Sequence, residues 1–496
     1  MSYNLPRPVW LVLAAMPMAV AALMGWPGEE ALANPPARKV IAAPVAPEGP
    51  RIELTLADAV SLALRDNRTI KSAYLQRIVQ KFDLRVAEDR YNPHLVFSSS
   101  YLARRTNGEI SHTVDVAPVV TLTTPTGAQL TAGIDSNHVI DHASGRTTST
   151  SLNLTIIQPL LRGGGVEAGT APLRIAQIDE RINRLNLKLT VSRTITEVIL
   201  AYRDFLKTQE QVQIAEQALK RSRALLDVNR TLIDAGRMAA VEIVQTEADL
   251  ASQEYTVEEA KNQLDASRLS LLSAIAVSPR TDIVTADKLS ADPVKIDLTQ
   301  ALAIALENYP EYLTQLLAIE RAKMNVTVAK NQRLWDLSIV GGASLGRTWT
   351  GQAASNDSDV YGGLQLVVPF GDLSGEQGEV SATVALRTAE VQMEAARQQL
   401  EQQTRDAVRN VNTRWRQLEL ARKARDLAAR KLEVENEKLK FGRSSNFQVL
   451  SFENDLRNAE NARLGAQISY LNALTILDQQ LGMTLDTWRI SLEDRP

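Results

Sequence analysis

The sequence predicts a mostly α-helical protein with a membrane β part, assembled from two copies of one unit that joins a strand pair to a long coiled-coil hairpin. Three observations predict it: an internal duplication, two long stretches of proline-free helical composition, and short alternating segments at matching places in both copies. Leu54-Thr55-Leu56-Ala57-Asp58-Ala59-Val60-Ser61-Leu62-Ala63-Leu64 reappears as Ile296-Asp297-Leu298-Thr299-Gln300-Ala301-Leu302-Ala303-Ile304-Ala305-Leu306. The register holds without a gap for about 40 residues, setting Pro93 on Trp335 and Leu95 on Leu337. Repetition at fixed spacing builds a scaffold by symmetry, whereas a catalytic pocket needs unique residues.

Composition narrows the class. The 496 residues suffice for roughly two to four ordinary domains. Aromatic residues make up only 5% and the net charge is −3, so no electrostatic footprint for nucleic acid is present. The chain has no cysteine, which excludes disulfides, thiolate metal sites and a lipid-modified N-terminal Cys.

At the N-terminus, Arg7, the apolar run Val9 to Leu23 and the small-x-small site Ala31-Leu32-Ala33 predict a signal peptide over 1–33, with an uncleaved anchor as the alternative. No other apolar run reaches about 18 residues, so membrane entry would require a β-barrel, whose backbone groups all pair internally. A Pro-rich tether follows over 34–53.

Repeat one spans 54–280, with helices over 54–92, a β block over 94–159 and a helical hairpin over 166–278. Its first helices break near Asp66-Asn67-Arg68 and stop at Tyr91-Asn92-Pro93. In the β block Leu152, Leu154 and Ile156 alternate with Ser151, Asn153 and Thr155, the two-residue period of a strand with one apolar face. After a linker over 281–295, repeat two spans 296–483, with helices 296–334, strands 337–369 and a hairpin 374–482; a tail covers 484–496. Its strand stretches, Ser338–Thr348 and Val360–Val368, have about the 9–11 residues of a tilted bilayer-crossing strand. Repeat one holds extra strand material at Val114–Thr123 and Gln129–His138, read as an added hairpin on the outer rim.

Between Pro172 and Pro279 the one glycine is Gly236, and between Gly378 and Gly482 the second helical stretch carries only Gly442 and Gly465. Arms of roughly 60 residues extend about 90 Å and require coiled-coil packing. Ile178, Ile182, Leu185 and Leu189 form one apolar stripe, and Leu187, Val191, Ile195, Val198 and Tyr202 another, so each arm needs neighbours on both flanks.

Strand meets helix at Gln158-Pro159-Leu160-Leu161-Arg162-Gly163-Gly164-Gly165 and again at Val368-Pro369-Phe370-Gly371-Asp372. Proline ends a strand ladder because it lacks an N–H, and glycine allows a sharp change of direction. With the repeated Leu-x-x-Ala opening and the bends at Gly236-Arg237 and Gly442-Arg443, these motifs resemble the TolC-type outer-membrane efflux proteins across the whole mature chain. The resemblance implies a homotrimer: four strands per protomer in a 12-stranded β-barrel, continuous with a periplasmic α-helical barrel of twelve helices. It implies partners, a periplasmic adaptor and an inner-membrane transporter, and a surround of outer-membrane lipid. It places adaptor docking at Gly236, Arg237, Gly442 and Arg443, and the pore-lining periplasmic aperture at Glu242, Gln245, Gln448 and Ser451. Of these last four only Glu242 is charged. The competing reading is that the four aperture residues are solvated helix positions and that Gly236 and Gly442 are plain helix C-caps.

No catalytic residue, cofactor site or metal site emerges. His94, His112, His138 and His142 all fall in the β block, where the four-residue spacing of the last two does not align their rings. Trp335 and Trp349 flank the first strand of copy two, where interfacial aromatics sit. The predicted function is passive export across periplasm and outer membrane, as in a tripartite efflux or type I secretion system. A periplasmic adaptor or a coiled-coil tether is the rival. An adaptor predicts one hairpin between compact β domains, and a tether leaves the alternating strands unexplained.

Overall fold

The computed structural model describes residues 51–106, 109–141, 145–351 and 353–492. The expected signal peptide, the tether up to residue 50, His142 and residues 493–496 lie outside the described residues.

The chain opens with β1 (Ile52–Leu54), α1 (Leu56–Asp66) and α2 (Arg68–Asp89). Four strands follow: β2 (His94–Thr106), β3 (Glu109–Thr123), β4 (Gln129–Asp141) and β5 (Gly145–Pro159). The first hairpin is α3 (Val166–Asp234) with α4 (Glu242–Ala274), and β6 (Ile283–Thr285) leads to the second copy. That copy contains α5 (Leu298–Asn308), α6 (Pro310–Gln332), β7 (Asp336–Thr350), β8 (Ala353–Val367), α7 (Ser374–Lys440), α8 (Asn446–Gln480) and the short α9 (Thr484–Thr487).

The duplicated opening works alike in both copies. The Thr55 hydroxyl accepts from the Asp58 N–H at 3.1 Å and its own N–H donates to the Asp58 carboxylate at 3.2 Å, a capping box. Asp297 caps α5 by accepting from the Thr299 N–H. Asn67 breaks the first helical run in the same way, accepting from the Thr69 and Ile70 N–H groups to start α2. The long arms α3 and α7 have 69 and 67 residues, about 100 Å each at 1.5 Å per residue.

One lateral order runs through the unit. The large sheet reads β2-β3-β4-β5-β7-β8, antiparallel throughout. The helices nearest it pack in the order α2-α3-α6-α7, and away from it α4 packs on α3, α3 on α8 and α8 on α7. β2 and α2 therefore mark one flank, β8 and α7 the other.

Repeat one supplies four strands rather than a pair, and the described residues place six strands in the sheet rather than four. The expected rim hairpin is β3 and β4, each as long as its neighbours and hydrogen-bonded in the middle of the sheet. Its turn, Thr124 to Ala128, lies at the helix side: the Gly165 N–H donates to the Thr126 carbonyl at 3.1 Å. Two residue rows show what the sheet separates. Leu95, Val120, Ala132, Leu154, Ala343 and Val360 are successive register partners on one face. Ser100, Asp115, Asn137, Ser149, Thr348 and Ser355 are successive partners on the other. One face is apolar across all six strands and the other polar.

Two further differences concern short segments. The end of the expected tether and the expected linker pair as parallel strands, Ile52–Leu54 with Ile283–Thr285. The tail forms α9, and Leu485, Trp488, Ile490 and Leu492 pack with Val60, Ile70, Val191 and Ile195. Three-residue strands are too short to show a period, which is why the sequence reads as linker.

The cores lie where the duplicated openings dock on the long arms. Ala59, Ala63, Val198, Tyr202, Phe205 and Leu271 form that of copy one; Ala301, Ala305, Leu400, Val411, Leu418 and Tyr470 form that of copy two. The Tyr202 hydroxyl donates within reach of both the Leu54 carbonyl (2.9 Å) and the Asp287 carboxylate (2.7 Å), tying β1 and the segment after β6 to α3. Burial, then the neighbouring Asp287, pushes this phenol well above its usual pKa, so it stays a donor. Leu418 is fully buried. Leu418→Ala should cost about 2–5 kcal/mol of stability, read as a lower denaturant midpoint in the purified protein; an unchanged midpoint would mean this packing is not what holds copy two.

Candidate functional site

The chain changes direction at two kinds of place: where strands feed helices, and where the long arms bend.

At the first junction, Pro159 ends β5 opposite Ser338. The ladder to copy two nevertheless continues, since the Leu160 and Arg162 N–H groups donate to the Leu337 (2.7 Å) and Trp335 (3.1 Å) carbonyls. The Arg162 guanidinium meets the Asp336 carboxylate at 2.7 Å. Asn331, from the end of α6, holds the glycine turn: its Oδ1 accepts from the Gly163 N–H at 2.7 Å and its Nδ2 donates to the Leu161 and Gly164 carbonyls. The Gln158 amide donates to the Pro159 carbonyl at 2.8 Å. The β3–β4 turn presses in here, and a Cβ on Gly127 would lie 2.1 Å from the Gly163 carbonyl oxygen, so only glycine fits. The second junction, Pro369 and Gly371, is open: no atom lies within 4 Å of where a Gly371 Cβ would sit. Its helix entry is held by Asp372, which accepts from the Ser374 N–H at 2.8 Å. The motif pair is thus asymmetric, and copy one carries the tight joint.

The bends are alike. Gly236 and Gly442 have φ of +70° and +67°. Both arms end with a six-to-one hydrogen bond, Arg237 N–H to the Leu232 carbonyl (2.8 Å) and Arg443 N–H to the Lys438 carbonyl (2.9 Å), the Schellman geometry that needs a left-handed residue. At neither glycine does any atom lie within 4 Å of the place a Cβ would occupy, so conformation rather than space selects glycine. Glu242 is the first residue of α4 and half-buried; Gln245 and Gln448 are exposed, and Ser451 is half-buried one turn further along α8. The Gln448 N–H is capped by Ser445 Oγ at 3.3 Å.

Three residues absent from the sequence-based site lock the two bends together. Asn229 on α3, Thr246 on α4 and Asn446 on α8 are all buried. Asn229 Nδ2 donates to Thr246 Oγ1 and to Asn446 Oδ1, both at 2.7 Å. Asn446 Nδ2 lies 3.0 Å from Thr246 Oγ1 and 3.3 Å from the Glu242 carbonyl. On a helix such residues look like solvated positions, so no local signal marks them. Below the second bend, buried Glu435 accepts from Ser444 Oγ at 2.5 Å and from Lys438 at 3.0 Å. These hydrogen bonds, Ser444 first, hold its carboxyl below the ordinary value of 4.5. Further up, Arg221 on α3 meets Glu453 (2.7 Å) and Glu460 (3.6 Å) on α8. Burial raises the Glu453 pKa despite Arg221 beside it. Among the described residues no group of three or more His, Asp and Glu converges on a point that could hold a metal.

Removing a partner from the buried triad leaves donors and acceptors unsatisfied. Asn446→Ala should cost about 1–3 kcal/mol and speed amide exchange around both bends, checked by hydrogen exchange on full-length protein. Exchange confined to the second bend would mean the triad does not couple them. Because the Glu435 pKa is lowered in the fold, its contribution is complete above 4.5 and is lost as pH falls through the lowered value. Protection of 435–446 should therefore fall below pH 4.5 in the native chain and be flat there in Glu435→Gln.

Residues 59–277 match the sequence profile of the outer membrane efflux protein family. No curated protein matches the chain in sequence. Among solved structures, the CmeC outer membrane channel of Campylobacter jejuni superposes with a TM-score of 0.67 at 16% identity, covering 89% of this chain and 90% of CmeC. The outer membrane protein VceC of Vibrio cholerae gives 0.66 at 14%, covering 86% and 96%. The open state of the MtrE outer membrane channel of Neisseria gonorrhoeae gives 0.65 at 15%, covering 87% and 89%. Residues 59–277 thus carry the sequence pattern of the outer membrane efflux protein family, and over most of its length the chain has the fold of those channels.

Proposed function

We propose that the chain is the outer-membrane duct of an export system, a homotrimer that passes substrate across periplasm and outer membrane and performs no chemistry. The observation that carries this reading is the two-faced sheet running into arms about 100 Å long. An apolar face across six strands suits lipid, and a polar face suits a water-filled lumen. No described helix is long and apolar enough to cross a membrane.

The flanks support assembly from copies. Among the described residues β2 and β8 each have an unpaired edge. Leu420, Leu427 and Val434 on α7 and Phe441 at its C-cap recur every seven residues and are 68%, 60%, 48% and 76% exposed. Leu75, Val79, Phe82 and Val86 expose a similar stripe on α2. Both are helix seams without a partner among the described residues.

In this reading an inner-membrane transporter supplies energy, and a periplasmic adaptor docks around Gly236, Arg237, Gly442 and Arg443. Glu242, Gln245, Gln448 and Ser451 line the aperture. Opening requires the bends to part, a helix-shift transition, and the Asn229–Thr246–Asn446 lock couples the two bends of one protomer.

Fractionation and crosslinking test this directly. The protein should partition with outer membranes and crosslink as trimers in detergent; recovery with soluble periplasm would end the duct reading. Replacing Gly236 and Gly442 by valine places a β-branched residue at positive φ, strained by roughly 1–3 kcal/mol each. Export should fall while trimers persist, and undiminished export would remove the docking role.

A further inference from the structure

We infer that three copies close an 18-stranded wall, six strands from each, rather than the twelve-stranded wall the family resemblance implies. The inference rests on the trimeric duct reading above and sets the width of that duct.

Three observations carry it. First, β3 and β4 are wall strands by their own hydrogen bonds. Each is paired along its length on both sides, β3 with β2 and β4, β4 with β3 and β5. The ladder between β3 and β4 lapses only around Pro118, which has no N–H to give. Second, they carry the same two faces as the rest. Val120 and Ala132 sit in the apolar row between Leu95 and Leu154, and Asp115 and Asn137 in the polar row between Ser100 and Ser149. Those polar residues join strand to strand: Ser100 Oγ donates to Asp115 at 3.1 Å, and Asn137 donates to the same carboxylate. A rim hairpin outside the membrane needs no apolar face matched to its neighbours. Third, the β3–β4 turn is seated in the strand-to-helix joint of copy one, against Gly163 and Gly165, so the hairpin spans the full height of the wall.

The geometry of sheet and helices then agrees. Strands about 4.8 Å apart, tilted by about 40°, each occupy about 6.3 Å of circumference. Six fill about 38 Å. The four helices that meet the sheet, in the order α2-α3-α6-α7, occupy about 32–40 Å at 8–10 Å apiece. Four strands would fill only about 25 Å. Each chain contributes an even number of strands, so β8 of one copy runs antiparallel to β2 of the next and the ring closes. The wall is then about 36 Å across between backbones, against about 24 Å for twelve strands.

The chain has no native cysteine, so single cysteines read the wall strand by strand. Val120→Cys and Ala132→Cys lie in the apolar row; Asp115→Cys and Asn137→Cys lie in the polar row. In native outer membranes a membrane-impermeant maleimide should label the polar-row pair and spare the apolar-row pair. Equal labelling of all four would put β3 and β4 outside the wall and overturn the inference. Leu154→Cys and Ser149→Cys on β5 are the control, since they alternate in either wall. Failure of alternation there would show that the membrane-barrel reading itself is wrong, and the inference with it. End-on images of the crosslinked trimer give the width: a wall near about 36 Å is expected, and one of about 24 Å would contradict it.

Discussion

Everything in this molecule depends on pairing the backbone groups along two sheet edges. β2 and β8 each present a row of N–H and C=O groups with no partner strand among the described residues. In water such edges are a liability; in hydrocarbon each unmatched group costs several kcal/mol. Their apolar neighbours, Leu95 on one edge and Val360 on the other, suit lipid on one side. In the proposed membrane setting a single copy would leave those groups unmatched, and a ring of copies would match them. The α7 seam at Leu420, Leu427 and Val434 and the α2 stripe at Leu75 and Phe82 extend that requirement to the helices.

Duplication makes the unit economical. Two units with the same opening place four helices side by side, and the order in the sheet is the order in the helices. Where the copies differ, the difference has a structural reason. Copy one inserts β3 and β4 and needs a tight joint, supplied by Asn331 and the Gly127–Gly163 contact. Copy two has two strands and an open joint at Gly371. At the opposite end the copies converge again, since the bends share a left-handed glycine and are bolted together by Asn229, Thr246 and Asn446.

Features with a period or a cap are legible in the sequence. Thr55 and Asp297 announce their helices because a short polar side chain before an apolar run has a defined partner in the first turn. Gly236 and Gly442 mark the bends because few other residues accept positive φ there. The alternation of Leu152, Leu154 and Ile156 shows a strand and its faces. It does not show which strand lies beside it, so Val114–Thr123 and Gln129–His138, a pair absent from copy two, read as strands but suggest a rim hairpin. Neighbour choice in a sheet is set by register over the whole length, which no local window contains. Buried polar contacts are illegible for a similar reason: Asn229 and Asn446 are 217 residues apart. Each resembles a solvated helix position until the other is beside it. The strands at Ile52 and Ile283 are too short to show alternation.

In a closed ring, another copy satisfies the edges of β2 and β8. Amide hydrogen exchange on the detergent-purified assembly tests this most directly, by comparing 94–106 and 353–367 with the interior strands β5 and β7. Closure by neighbouring copies predicts that the edge strands exchange as slowly as the interior ones. Edge amides exchanging orders of magnitude faster than those of β5 and β7, in an assembly otherwise intact, would show open edges and contradict the ring.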